Sequence, residues 1–596
     1  MQEALDALVQ MEEAAWFSLG AYQQHVDAGL EALREIEFGR RIWARDGGLW
    51  SSSPTEIAAI EDRLGWLELP TAMRVDVPRL EALFVEVEAA GIERAVLLGM
   101  GGSSLAAETM ARVLGVSPHH LSLTVLDSTD PAQVRRVAEA GPLDRTLFIV
   151  SSKSGTTAEV DALYRYFSGR LADALSTGKQ LAPNGNASES QRVADWRRHM
   201  VAITDPGTPL EKMARAEGFR AVYLNPRDIG GRFSALSLFG LVPAALVGAD
   251  LERLLGGAGQ MAWQCRSTVP PEDNPGMRLG LAMGECARQG RDKLTLLASP
   301  GLEAFGPWVE QLIAESTGKR GAGILPVEGE PLLEPSAYRD DRLFVYLRLT
   351  GADNGALDAH AAALAEAGHP VVALRLDDVY DLGAEFYRWE FATAVAGQRL
   401  EINPFDQPNV EAAKERAREA LERYAEERAL PEETPVLQEG DLQIHGPSLD
   451  AASMSDYLGG FLSQAGEHDY VAIMAYLDRN ETYDGQLQSL RYTIATGTRL
   501  ATTVGFGPRF LHSTGQLHKG GPDTGLFIQI THTDADDVAV PDAGYTFGIL
   551  KRAQALGDLL ALRDAGRRVV QVHLQGDVAT GLEALGEAMG TALSRE

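Results

Sequence analysis

What most limits the fold of this chain is a recurring unit: a short run of β-branched and leucine-rich residues, a Gly, Ser, Thr, Asp or Pro turn, then a helical stretch. From Arg94 onward the runs read AVLLG, LSLTVL, TLFIVS, MVAIT and AVYLN. Runs that are apolar at every position are buried on both faces, which predicts a parallel sheet built from βαβ units. A second array begins near Lys293 with LTLLAS and continues through LFVYLRL at 343–349 and VVALRL at 371–376. An acidic, proline-containing stretch near Pro431, PEETPVLQEGD, reads as a linker. Beyond it YVAIMAYL, GLFIQIT and RRVVQVHL predict a third α/β unit. The 596 residues leave room for this, at about 150 residues per domain. Before the first array, Leu5, Leu8, Met11 and Ala15 recur at helical spacing, so the amino-terminal segment is expected to be an amphipathic helix. The polar stretch from Ser176 to Arg192 has loop composition and reads as an insertion.

Charge narrows the partners. With 54 Lys and Arg against 84 Asp and Glu the formal net charge is −30, which opposes binding to a nucleic-acid backbone or an anionic membrane. The two cysteines, Cys265 and Cys286, lack metal-site spacing and fit a reducing compartment. The amino terminus is acidic without a basic leader, and there is no apolar run of about 18 residues. A cytoplasmic protein acting on a small molecule is expected, neither exported nor membrane-spanning.

Three loops hold candidate chemistry. The first strand runs into Gly99-Met100-Gly101-Gly102-Ser103-Ser104 and a helix, so backbone N–H groups and two hydroxyls could receive an anion. The order is neither the dinucleotide fingerprint nor a Walker A loop, and a tight βα turn alone would also explain it. The third strand runs into Ser151-Ser152-Lys153-Ser154-Gly155-Thr156-Thr157, with five hydroxyls and a lysine at a helix start. A capping loop needs one hydroxyl, and this density suits a phosphate monoester. Gly230-Gly231-Arg232-Phe233-Ser234 follows the fifth strand and would set a fixed cation beside the pocket; a surface arginine after a turn is the simpler reading of the spacing alone. In the second array Gln311 and Glu315 stand four apart on one helix face, with Glu315 near the carboxyl end, where the dipole disfavours its charge. Further on, Gln407 sits in a turn that opens a helix carrying Lys414.

Taken together, GMGGSS, DSTDP, SSKSGTT, GGRFS, EQLIAESTGK and INPFDQPNVEAAK occur in the order seen in glucose-6-phosphate isomerases, and the chain resembles that family over about residues 90 to 428. The flanks are similar to the isomerase half of bifunctional transaldolase/glucose-6-phosphate isomerases. The resemblance implies an α/β fold of two αβα-sandwich sugar-isomerase domains with parallel sheets, over 51–255 and 256–430. A helical segment over 1–50 would precede them and a carboxyl-terminal α/β domain over 431–596 would follow. It implies reversible aldose–ketose isomerisation of glucose 6-phosphate and fructose 6-phosphate through a cis-enediolate, without cofactor or metal, in a homodimer.

By position, Ser152, Lys153, Ser154 and Thr157 would hold the sugar phosphate, and Gly102, Ser103, Gln311 and Gln407 would line the sugar. Glu315 would be the base, Arg232 would stabilise the enediolate, and Lys414 would assist ring opening. Asn409 stands where many members carry glycine. The ring-opening histidine that members carry in an N-G-Q-H segment after the base's helix is absent. The local likeness closest to it is LHSTGQLHKGG at 511–521, from which His518, with His512 as second choice, is expected to enter the site. A sugar-phosphate-binding regulator, or an isomerase for a related aldose phosphate such as mannose 6-phosphate, are the alternatives.

Overall fold

The computed structural model describes residues 2–11, 14–177 and 195–594; the expected insertion lies outside them from residue 178 to 192. Where the sequence suggested one amino-terminal helical segment, the chain forms a helix over Gln2–Val9, strand β1 (Ala15–Ser18) and a helix over Gln23–Glu35. The five apolar runs become β2 (Arg94–Gly99), β3 (Ser122–Leu126), β4 (Thr146–Ser151), β5 (Met200–Thr204) and β6 (Ala221–Leu224), all parallel, in the order β3-β2-β4-β5-β6. β4 and β5 are buried at every residue, the consequence of helices covering both faces.

The second array is β7 (Lys293–Ala298), β8 (Leu325–Val327), β9 (Arg342–Leu349) and β10 (Val371–Leu376), parallel in the order β10-β9-β7-β8. β1 closes its edge, antiparallel to β10, with Ala15 opposite Leu374. One continuous apolar core runs from Leu19 to Phe405 and serves both sheets. The third sheet comprises β11 (Leu437–Glu439), β12 (Leu442–His445), β13 (Tyr470–Tyr476), β14 (Ala501–Phe506), β15 (Gly525–His532) and β16 (Arg568–Leu574), in the order β11-β12-β16-β15-β13-β14. Strands β16, β15, β13 and β14 are parallel, and β11 and β12 are antiparallel additions at the other edge. Among the described residues no helix is long and apolar enough to cross a membrane.

Buried polar contacts seat the third sheet's unit on the loop after β3, Asp127-Ser128-Thr129-Asp130. Arg509 donates to Asp127 at 2.8 Å and to Glu108 at 2.6 Å, and Thr129 Oγ1 donates to Gln554 Oε1 at 2.8 Å. Lys551 Nζ, fully buried, donates to Asp130 and Asp534 at 2.7 Å each and lies 3.0 Å from His532 Nε2. The ammonium thus fills the space among Asp130, His532 and Asp534, whose spacing would otherwise suit a metal ion. Burial works against the Asp130 charge, but Lys551 outweighs it and holds the carboxyl well below its ordinary pKa.

Removing the cation should therefore leave two buried carboxylates unpaired. We expect Lys551→Met to destabilise the full chain by about 3–5 kcal/mol, read as a lower denaturation midpoint; an unchanged midpoint would show that the contact is not what seats the third unit.

Candidate functional site

The glycine and serine loops lie side by side because the strands before them do: Gly99 of β2 pairs with Ser151 of β4. Both open at the carboxyl edge of the parallel sheet, the edge at which such sheets take ligands. Ser151 Oγ donates to Ser103 O at 2.8 Å and ties the loops together. Two glycines are obligatory here. Gly101 has φ +53, and a Cβ on it would meet Gln311 Nε2 at 2.8 Å; a Cβ on Gly102 would lie 2.0 Å from Gly231 O. The glycine loop is therefore pressed directly against the Arg232 turn.

In the serine loop Ser152 Oγ accepts from Gly155 N at 3.1 Å and lies 2.9 Å from Thr157 Oγ1. Ser154 Oγ accepts from Thr156 N at 3.3 Å. Lys153, expected to face the ligand with them, turns its ammonium to Asp205. The loop leads into α1 (Ala158–Thr177), so free N–H groups of a helix start face the same space. A cavity of about 350 Å³ opens beside Ser152 and Thr157, reaching Tyr164 and Glu217 but not Arg232 or Glu315, so it is an annex and not the centre of the constellation.

Arg232 is 2 % exposed, unlike a surface arginine. Its Nε donates to Ser316 Oγ at 2.7 Å, Nη1 to Gln407 Oε1 at 3.0 Å, and Nη2 to the carbonyls of Pro404 and Asp406 at 2.7 and 2.8 Å. Nη1 also stands 3.4 Å from Glu315 Oε1. Glu315 lies in the last turn of α2 (Gly306–Thr317), where the helix end repels a negative charge, and Arg232 supplies the compensating cation. Gln311, one turn earlier, donates to Glu315 Oε2 at 3.2 Å and leaves its own Oε1 buried without a partner. Gln407 is exposed beside this cluster.

Lys319 completes the group, and sequence reasoning missed it although it ends the EQLIAESTGK segment. Its Nζ donates to Asn403 O at 2.8 Å and to Asp406 Oδ1 at 2.7 Å. Burial, aided by the neighbouring Arg232 charge, pushes its pKa down to about 7.

The third unit reaches the site through the turn Arg509–His512. His512 O accepts from Gln311 Nε2 at 2.8 Å, and its ring Nε2 lies 2.9 Å from Glu159 Oε1. The same Glu159 oxygen accepts from Gln554 Nε2 at 2.7 Å. Burial raises the pKa of Glu159, yet the His512 contacts and the Lys414 charge outweigh it and leave the carboxyl below its ordinary value. Lys414 itself is exposed, 3.0 Å from Glu411, on α3 (Val410–Glu427).

His518, the first choice for the missing histidine, does not enter the site. It lies on α4 (Gly515–Gly520), 3 % exposed, among the rings of Tyr470, Phe510 and Phe527, with both ring nitrogens unpartnered. Burial, with the charges of Lys519 and Arg567 nearby, pushes its pKa well below the ordinary value. The physical reason is local: the turn before α4 ends against Gly101, and the helix that follows rotates position 518 into the core. Asn409, the departure from glycine, is put to use, since its N–H donates to Gln516 Oε1 at 2.9 Å and its Oδ1 accepts from Gln516 Nε2 at 2.8 Å.

Comparison with known proteins gives a match to the family model described as phosphoglucose isomerase over residues 84–323. A probable glucose-6-phosphate isomerase of Natronomonas pharaonis is 31 % identical over 391 residues, 60 % of this chain and 84 % of that protein. The glucose-6-phosphate isomerase of Rubrobacter xylanophilus is 30 % identical over 438 residues, 65 % of this chain and 94 % of that protein. In fold, the chain is similar to a glucose-6-phosphate isomerase structure from Chlamydia trachomatis, with a TM-score of 0.53 at 20 % identity, over 67 % of this chain and 86 % of that one.

The close approach of the two glycine loops can be tested with one pair of variants. A Cβ at Gly102 would have to displace the backbone of Gly231, whereas at Gly231 it meets nothing within 4 Å. Gly102→Ala should cost about 1–3 kcal/mol of stability, and Gly231→Ala about 0.5 kcal/mol or less, measured by thermal unfolding of the two proteins side by side.

Proposed function

Because the chain belongs to the glucose-6-phosphate isomerase family, we propose that the buried Glu315–Arg232 pair and the glycine and serine loops beside it carry out that reaction here. The protein is an aldose–ketose isomerase that interconverts glucose 6-phosphate and fructose 6-phosphate, a step common to glycolysis and gluconeogenesis. The observation that supports the site assignment most is the carboxylate of Glu315, held 3.4 Å from a buried guanidinium at the carboxyl edge of the sheet. A sugar-phosphate-binding regulator would need the serine loop and no such pair.

In this reading Ser152, Ser154 and Thr157, with the first N–H groups of α1, hold the phosphate, and Lys153 braces the loop through Asp205. Gly102 and Ser103 form the floor under the sugar, with Gln311 and Gln407 at its sides. Glu315 takes the proton from C2 of the open-chain aldose and returns it to C1, while the hydroxyl proton passes from O2 to O1. The negative charge of the cis-enediolate develops beside Arg232, whose hydrogen bonds fix it before the reaction begins, so little reorganisation is needed.

Ring opening falls to His512, with Glu159 orienting its imidazole and Lys414 contributing positive charge near the ring oxygen. His512 belongs to the same chain as Glu315. We place the enzyme in the cytoplasm, consistent with the free thiols of Cys265 and Cys286, and retain the homodimer expected from the family.

Glu315→Gln should lower turnover on the order of 10²-fold or more while leaving sugar-phosphate binding intact, measured by conversion of fructose 6-phosphate and by calorimetry. Loss of binding along with turnover would count against the assignment. His512→Ala should slow reaction from the closed sugar more than from an open-chain substrate, and His518→Leu should slow neither selectively. Equal slowing of both substrates by His512→Ala would remove His512 from ring opening.

A further inference from the structure

The third sheet departs from the rule that parallel strands are apolar on both faces. On one face Leu442, Ile444, Ile528, Ile530, Val570, Val572 and Leu574 pack into a single core. On the other face Phe527 and Val569 pack against Leu559 and Leu562, but toward the carboxyl ends of β15 and β16 and on β12 the alternate positions turn polar: Gln443 and His445 on β12, Gln571 and His573 on β16, Gln529 and Thr531 on β15. Register sets them in two rows, Gln443–His573–Thr531 and His445–Gln571–Gln529. Gln443, His445, Thr531, Gln571 and His573 line the floor of a cavity of about 390 Å³, with Gln529 buried beneath them, and the lining is completed by Leu430 and Pro431 of the linker and by Leu556 and Leu559 of α5 (Phe547–Asp564). The cavity reaches the carboxyl ends of β15 and β16, the edge at which parallel sheets take ligands.

We propose that this cavity is a second binding site, separate from the Glu315 site, for an uncharged polyhydroxylated molecule of about monosaccharide size. The floor is organised before any ligand arrives. Gln529 Nε2 donates to Ala555 O at 3.0 Å and its Oε1 accepts from Gln571 Nε2 at 2.7 Å. The two ring nitrogens of His573 lie 3.0 and 3.3 Å from the hydroxyls of Thr531 and Thr533. Burial, with His445 nearby, pushes the His573 pKa down to about 4, so the imidazole is neutral near pH 7.

The charges around the cavity cancel locally: Arg552 stands 3.2 Å from Glu432, and Arg563 stands 2.6 Å from Glu433. Among the described residues that line the cavity there is no unpaired Lys or Arg to select a phosphate or carboxylate, and no Phe, Tyr or Trp to stack a nucleobase. Amides, imidazoles and hydroxyls that both donate and accept match sugar hydroxyls, and the leucines of the lining match the C–H face of the ring.

The test uses the full chain with D-glucose and D-fructose as probes and uridine as the comparison, followed by saturation-transfer NMR and calorimetry. At least one sugar should bind the unmodified protein and Glu315→Gln alike, and bind Gln571→Leu at least about tenfold more weakly, with isomerase activity of Gln571→Leu unchanged. Gln443→Leu, at the more open edge of the floor, should weaken the same binding and serves where Gln571→Leu fails to fold. No binding of either sugar to the unmodified protein overturns the proposal. Sugar binding abolished by Glu315→Gln but kept in both floor variants overturns it as well, because the sugar then sits in the isomerase site. Binding of uridine alone overturns the polyol assignment.

Discussion

Everything distinctive about this molecule depends on how the third α/β unit is seated on the first. Three side chains of the loop after β3 take part in the seating: Asp127 takes Arg509, Thr129 takes Gln554 and Asp130 takes Lys551, while on the second array Arg491 reaches the carbonyl of Glu328 and Leu517 packs with Ala314 and Leu325. Buried charges are costly unless fully paired, so these contacts favour one seating over all others more than they add to stability. The same seating sets the His512 turn between Glu159 and Gln311. The docked unit thereby contributes to the candidate site.

Electrostatics within that site follow the same logic at closer range. A carboxylate at a helix carboxyl end is poorly placed for a charge, and Glu315 is compensated by an arginine that is itself spread over Ser316, Gln407 and two backbone carbonyls. Lys319 adds a second buried cationic group beside Arg232, and burial, followed by the neighbouring Arg232 charge, depresses its pKa. Gly101 and Gly102 let backbone and side chains approach this cluster at distances that a Cβ on either would prevent. On the third sheet, the face covered by α5 is apolar at Phe527 and Val569 and turns to amides and imidazoles only toward the cavity at Gln571 and His573.

The chain itself determined a good deal. Apolar runs such as TLFIVS and MVAIT dictate strands buried on both faces, and the residues that follow them dictate loops at the carboxyl edge, because strand burial and loop chemistry are local properties. The GMGGSS, SSKSGTT and GGRFS segments, and the spacing of Gln311 and Glu315 on one helix turn, were legible for that reason. What tertiary structure alone decided is long-range. Strand β1 joins the second sheet by pairing with β10, far along the chain, where amphipathic spacing had suggested only helix. Lys153 turns to Asp205 and Lys319 to Asp406, choices that no local pattern encodes. The choice between His512 and His518, six residues apart in one polar segment, rested on a partner 353 residues away in Glu159. Helical rotation buried one histidine among aromatic rings and left the other against a carboxylate, since side-chain direction follows from how elements pack and not from the order of residues.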